Sequence, residues 1–328
     1  MRAVLDITLV VLALFFSSGC ALFQRDRDLS GEARIPETYS IYSGDAELDA
    51  WWTHFNSDAL DGLIDEALTR NYSLQEAEAR LRQASAQARR DRALLYPELD
   101  LAAGAGYRRE DSPGVSAQNP DGSSLEAENY TLGLLMSSYE VDLWGRVRSL
   151  ADASRLQAEA SREDFNTAAM TVSAAVAENW IRLVATEAQL RLVREQLDTS
   201  RTVLDLLRLR FRNGLSSALD VYQQEQVLAE LEAGIPLLEA QVAALNHQLA
   251  VLVGKPPSYD LGPVADTLPE PDPRPSTGLP ADLLARRPDV RAAGLRLRAS
   301  DQRVAAARAD RLPALRITAG AQYESGDL

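Results

Sequence analysis

RLPALRITAGAQY (residues 311–323) restates LYPELDLAAGAGY (95–107) after an interval of 216 residues. The two copies align without a gap over 71–107 and 287–323, with twelve identities in 37 positions. Among them are Arg92/Arg308, Pro97/Pro313, Leu99/Leu315, Gly104/Gly320 and Tyr107/Tyr323. Each copy reads as a helix, a proline stop and an alternating strand. Proline stops the helix because the residue before it is pushed out of the helical region. A repeat of this length implies that a whole unit of several elements is duplicated.

Working outward, Leu60, Leu63, Ile64, Ala67 and Leu68 form an amphipathic helical face. Asn71 and Ser73 interrupt it, and Ser73 is the expected N-cap of the next helix, so helices are predicted over 58–95. The period then becomes two. Leu99, Leu101, Ala103, Ala105 and Tyr107 share one face, and Tyr130, Leu132, Leu134 and Met136 share another, on either side of a turn-rich segment (108–128). The phase slips at Ser137-Ser138, after which Tyr139, Val141 and Leu143 carry the pattern, as a β-bulge would produce. A β-hairpin over 98–143 follows. Its arms have the length of membrane-crossing strands, ~9–11 residues, but period alone also allows a soluble hairpin packed on a core.

From about 147 to 212 there is neither proline nor glycine. A helix of that span is about 100 Å long. Val176, Leu183, Leu190, Leu197, Leu204 and Phe211 recur every seven residues, the spacing of left-handed coiled packing. The intervening seam, from Val172 and Asn179 through Thr186, Val193 and Ser200 to Leu207, is mixed. Gly214 suits the residue just past a helix end, and Ser217 suits the N-cap of a returning helix. That helix completes a hairpin over 147–253, and a break is expected near Gly234 and Pro236. A proline-rich linker (255–280) leads to a helix (281–311) and a strand (314–324) that open the second repeat.

The net charge of −14 argues against nucleic acid as a partner. One cysteine forbids an internal disulfide, and two histidines, His54 and His247, supply no zinc cluster; both read as packing or surface residues. No nucleophile constellation, P-loop or dinucleotide fingerprint is present, so neither an enzyme nor a cofactor is expected. Residues 1–19 read as a signal peptide, because the apolar run 7–16 is too short to span a bilayer. Ser17-Ser18-Gly19-Cys20 resembles a bacterial lipobox, which implies cleavage before Cys20 and its acylation, with 20–50 as a lipid-anchored linker.

WWTHFNSDALDGLIDEALTRNYSLQEA (51–77), SYEVDLWGRVR (138–148), RFRNGLSSALDV (210–221) and LPADLLARRPDVRAA (279–293) together resemble the TolC-like outer membrane efflux proteins, in their NodT-type lipoprotein branch. The resemblance implies a fold that is mainly α with β-hairpin strands. Long antiparallel helical hairpins would form a periplasmic α-barrel, and the strands would belong to a trimeric transmembrane β-barrel. It implies an exit duct in the outer membrane of a Gram-negative bacterium, a homotrimer partnered by a periplasmic adaptor and an inner-membrane pump. On that pattern 51–254 is a first repeat and 281–328 the start of a second, so the sequence is expected to be C-terminally truncated. Arg210, Gly214, Ser217 and Asp220 would be the adaptor-contacting hairpin tip. Asp220 also matches a position linking neighbouring helices, beside its plain reading as a first-turn carboxylate. Arginines 208–212 read as a solvated helix end or an anion site. Gly145 and Arg146 match the strand-to-helix junction, a flexible corner or a contact, and Pro97 and Pro313 are turn residues. The alternative function is a non-conducting, adaptor-like coiled-coil lipoprotein or an inactive fragment; the helix-proline-strand repeat speaks against the adaptor.

Overall fold

The computed structural model describes residues 50–112, 123–262, 267–269 and 286–326. Cys20, the leader, the N-terminal linker and most of the proline-rich linker lie outside them. After a short 3-10 turn (Trp51–Phe55) come α1 (Asp58–Arg70), α2 (Tyr72–Ala93), β1 (Asp100–Ser112) and β2 (Ser123–Val141). The chain continues through α3 (Arg146–Arg212), α4 (Ala218–Leu252), α5 (Pro288–Ala309) and β3 (Leu315–Ser325). Its described residues form two compact units, one of Arg82–Ala160 with the residues from Ala293 on, the other of residues 50–81 with those between Ser161 and Ala292.

The first unit holds a three-stranded antiparallel sheet ordered β1-β2-β3. Both repeat-related strands therefore flank β2. Leu101, Ala103 and Ala105 face across to Leu134, Leu132 and Tyr130, which face on to Ala321, Tyr323 and Ser325. The register shifts between Met136 and Tyr139, where two steps on β3 match three on β2. The phase slip at Ser137-Ser138 is thus a bulge that keeps Tyr139 and Val141 on the apolar face with Met136. The opposite face is mostly small or polar, as where Gly104 opposes Thr131, with Leu135, opposite Gly320, as an apolar exception. A Cβ on Gly104 would come within 2.8 Å of Thr131 Oγ1, so a larger residue there would displace that side chain. The strands run further into the turn-rich segment than the alternation predicted. Backbone pairing continues there after the apolar pattern has ended.

The helices meet the strands at a built corner. Asp142 caps α3, accepting from the Val147 and Arg148 N–H groups at 3.1 and 2.8 Å. Gly145 adopts φ +75°, the left-handed value glycine tolerates. Arg146 donates twice to Glu140, at 2.7 and 2.8 Å. Leu156, Ala160, Leu295 and Ala299 pack together as this unit's buried apolar cluster.

The second unit has the larger core. Leu60, Ile64 and Ala67 of α1 pack with Val176, Trp180, Leu183 and Val184 of α3, and with Leu249 and Val253. The heptad residues Val176, Leu183, Leu190, Leu197 and Leu204 are all buried, whereas Phe211, last in the series, is 47% exposed. Two expectations are corrected here. Asn71, not Ser73, caps α2: its Oδ1 accepts from the Ser73 and Leu74 N–H groups at 2.9 and 3.2 Å. Asn71 wins because its side chain is buried and its Nδ2 also donates to the Leu252 carbonyl, closing the end of α4. Nor does α4 break at Gly234; it is continuous through Pro236. Pro236 and Glu232, whose carbonyl loses its usual donor, are both exposed, so the orphaned group is open to solvent.

Gly254 follows α4 at φ +75°, and a Cβ there would lie 2.5 Å from the Arg70 carbonyl oxygen. Asn71→Ala is expected to destabilise the protein by about 1–3 kcal/mol, combining a lost cap with an unpaired, partly buried carbonyl. Gly254→Ala should cost more than the ~1–2 kcal/mol of a left-handed residue alone, because backbone must move. Denaturant unfolding monitored by the near-ultraviolet signal of Trp180 checks both; an effect under about 1 kcal/mol for either would refute the assignment.

Candidate functional site

The hairpin tip is built from two helix ends. At the end of α3 the Leu215 N–H donates to the Arg210 carbonyl at 2.8 Å and the Gly214 N–H to that of Phe211 at 3.0 Å. Gly214 has φ +74° and nothing within 4 Å of a built Cβ, so only its backbone conformation demands glycine. Ser217 then caps α4. Its Oγ accepts from the Asp220 N–H at 3.2 Å, while Asp220 Oδ2 accepts from the Ser217 N–H at 2.9 Å and the Ser216 hydroxyl at 3.0 Å. This is a reciprocal capping box with Asp in the acidic position. The Ser217 N–H, then the Ser217 and Ser216 hydroxyls, hold the Asp220 carboxyl below its ordinary range.

Around this turn the surface is apolar and basic. Leu215, Leu219 and Tyr222 are well exposed. Arg210 and Arg212 are exposed, and neither has a side-chain partner among the described residues. Below the tip the pattern changes. Arg194 pairs with Glu239 at 2.7 Å, Arg201 with Glu232 at 3.1 Å and Arg208 with Glu225 at 2.7 Å. Each step of seven along α3 meets a step of seven back along α4. Arg208 is therefore a rung of an ion-pair ladder rather than part of a solvated end. The sequence reading missed this ladder, although the heptad spacing of Glu225, Glu232 and Glu239 carried its signal. Exposed pairs of this kind contribute little each.

The structure brings Arg210, Gly214, Ser217 and Asp220 together at the tip and places Gly145, Arg146, Pro97 and Pro313 at the helix–strand junctions. His54 bonds the Trp51 carbonyl and His247 that of Pro257, both local contacts. Among the described residues no cluster of His, Cys, Asp or Glu is arranged to hold a metal.

Gly214→Ala should cost about 1 kcal/mol, less than the same change at Gly254. Because the Asp220 value is depressed on folding, its contribution is complete above the ordinary carboxylate value, about 3.9, and is lost as pH falls below that value and through the depressed folded one. Amide exchange at residues 217–222 should therefore show an added opening below about pH 4 that Asp220→Asn abolishes. A pH-independent opening in both proteins would contradict the capping box.

The family model of the outer membrane efflux protein matches residues 63–255. The pyoverdine export outer membrane protein OpmQ of Pseudomonas putida is 36% identical over 277 residues, covering 84% of this chain and 58% of that one. Outer membrane protein OprJ of Pseudomonas aeruginosa is 34% identical over 289 residues, covering 84% of this chain and 57% of that one. The chain thus spans a little under three-fifths of the length of these relatives. Among solved structures, the outer-membrane channel OprN superposes with a TM-score of 0.74 at 26% identity, over 92% of this chain and 73% of that one. VceC of Vibrio cholerae does so with a TM-score of 0.70 at 28% identity, over 85% of this chain and 65% of that one. The duplicated helix-proline-strand unit, the long helical hairpin and these likenesses agree: the chain belongs to the outer membrane efflux protein family.

Proposed function

We propose that the protein is the exit duct of a tripartite efflux system, a passive outer-membrane channel for solutes handed over by an inner-membrane pump through a periplasmic adaptor. The observation that carries this reading is the sheet. Leu101, Leu132, Leu134, Leu315 and Ile317 share its apolar face, and all are exposed. No helix among the described residues is long and apolar enough to cross a membrane. The strands, of 13, 19 and 11 residues, each meet the ~9–11 that a tilted crossing needs. Strand edges in lipid must be closed, and a homotrimer sharing one barrel closes them.

The rest of the chain serves that duct. The 67-residue α3 is about 100 Å long, the scale of a periplasmic crossing. Cys20 is the acylated anchor. Arg210, Gly214, Ser217 and Asp220 form the adaptor-contacting tip, a role supported by the exposed Leu215, Leu219 and Tyr222 beside them. Asp220 Oδ1 takes no part in the capping box, leaving it available to a cation on a neighbouring helix of a closed tunnel. Relatives are named for pyoverdine, toluene and antibiotic export. Such variety suits a tunnel that takes what its pump presents, and no catalytic role is assigned.

Material from native outer membranes should behave as a trimer of acylated subunits and conduct in planar bilayers. Cys20→Ser should remove the acyl mass while conductance remains. Leu215→Asp with Leu219→Asp should cut efflux about tenfold or more, the loss of roughly 1.4 kcal/mol or more of docking, while trimer and conductance persist. A monomer without conductance would overturn the channel reading; full efflux by the tip variant would overturn the docking role.

A further inference from the structure

We propose that the level at which the helices become strands is a binding collar for anionic phospholipid headgroups, an inference that rests on the outer-membrane placement above. Three contacts bring the junctions to one level. The Tyr139 hydroxyl donates to the Leu95 carbonyl at 3.1 Å, Trp144 Nε1 donates to the Pro313 carbonyl at 2.9 Å, and Arg146 approaches Asp310 at 4.0 Å. At this level the repeat places an arginine twice, Arg92 at the end of α2 and Arg308 at the end of α5. Both are exposed, as are Arg89 and Arg311, and none of the four has a side-chain partner among the described residues.

Unpaired guanidiniums are unexpected in a chain of net charge −14. Most nearby acids are engaged: Asp91 accepts from Gln87 and Ser154, Glu140 from Arg146, and Asp142 from the start of α3, whereas, among the described residues, the exposed Asp310 is met only by Arg146, at 4.0 Å. Glu98 and Asp100 follow only past Pro97, toward the strand. Leu94 and Tyr96 are 61% and 65% exposed, and Trp144 is 38% exposed. Amphipathic rings beside arginines, bordering exposed apolar strands, are the composition of a headgroup zone. The arginine stems can lie along apolar surface while the planar guanidinium meets a phosphate through two parallel hydrogen bonds. An acidic protein would satisfy the charge but not the adjoining lipid-length strands. Favourable placement at helix C-termini would explain Arg92 and Arg308 without any ligand, and the test separates that case.

The test uses Trp144 as reporter, in protein purified from native outer membranes and reconstituted into phosphatidylcholine vesicles. Quenching by brominated phosphatidylglycerol is compared with quenching by brominated phosphatidylcholine, and the signal of Trp144→Phe is subtracted. Phosphatidylglycerol should associate preferentially, by roughly fivefold for each arginine engaged, with the preference shrinking in 0.5 M salt, where the Debye length is about 4 Å. The paired variant R92Q/R308Q should lower the preference about fivefold or more. R92K/R308K, which keeps the charge but not the paired hydrogen bonds, should retain only part of it, and R80Q/R296Q, changed at another repeat-related pair, should leave it intact. Equal quenching by the two lipids, or a preference unchanged in R92Q/R308Q, overturns the collar while leaving the outer-membrane reading in place. A loss of thermal stability with the preference intact assigns the arginines to their helix ends and likewise overturns it. Quenching by neither lipid overturns the collar and the membrane placement of the junction together.

Discussion

A seven-residue seam along α3 is the constraint on which the rest depends. Val176, Leu183, Leu190, Leu197 and Leu204 are buried along a helix of 67 residues that contains no glycine or proline. Packing every seventh residue fixes which face turns inward. Once that face is set, the arginines at 194, 201 and 208 fall opposite the glutamates of α4. The same seam ends at Leu204, and Phe211 is left exposed. The tip therefore lies past the last buried rung. Its form is held by local hydrogen bonds: the turn at Gly214 and the capping box of Ser217 and Asp220.

At the other end of α3 the constraint passes from packing to polar contacts. Asp142 closes the first turn of the helix, and Glu140 clamps Arg146 with two hydrogen bonds. A strand gives way to a helix within a few residues there, and the backbone groups freed by the change need partners. Asn71 does the same work between α1 and α2, and it reaches the end of α4 as well. Both corners use short side chains that bond backbone, which suits abrupt changes of direction.

In the sheet, backbone hydrogen bonding and side-chain character make separate demands. Pairing carries β1 and β2 into the polar turn-rich segment. The apolar face needs an extra residue at Ser137-Ser138 to stay continuous. Without that bulge, Tyr139 and Val141 would turn to the face of Gly133 and Thr131. A sheet with one continuous apolar face and one of mostly small or polar residues suits a lipid exterior and a wet interior.

Much of this was legible in the sequence because it is periodic. The spacing of α1 leucines, the alternation of β1 and β2, the bulge, the proline-free span of α3, Gly214 and Ser217 are all local patterns whose physics acts within a few residues. What the sequence left undecided required knowing which distant groups meet. Ser73 and Asn71 are both good caps on local grounds; the Leu252 carbonyl, 181 residues away, favours Asn71. Pro236 carries the same local penalty anywhere in a helix, and only its exposure shows that the helix absorbs it. Arg208 reads as part of a solvated end or an anion site until α4 returns with a matching glutamate. Local propensity fixes elements because it depends on near neighbours, whereas caps, ladders and corners depend on partners that only the tertiary structure brings within hydrogen-bonding distance.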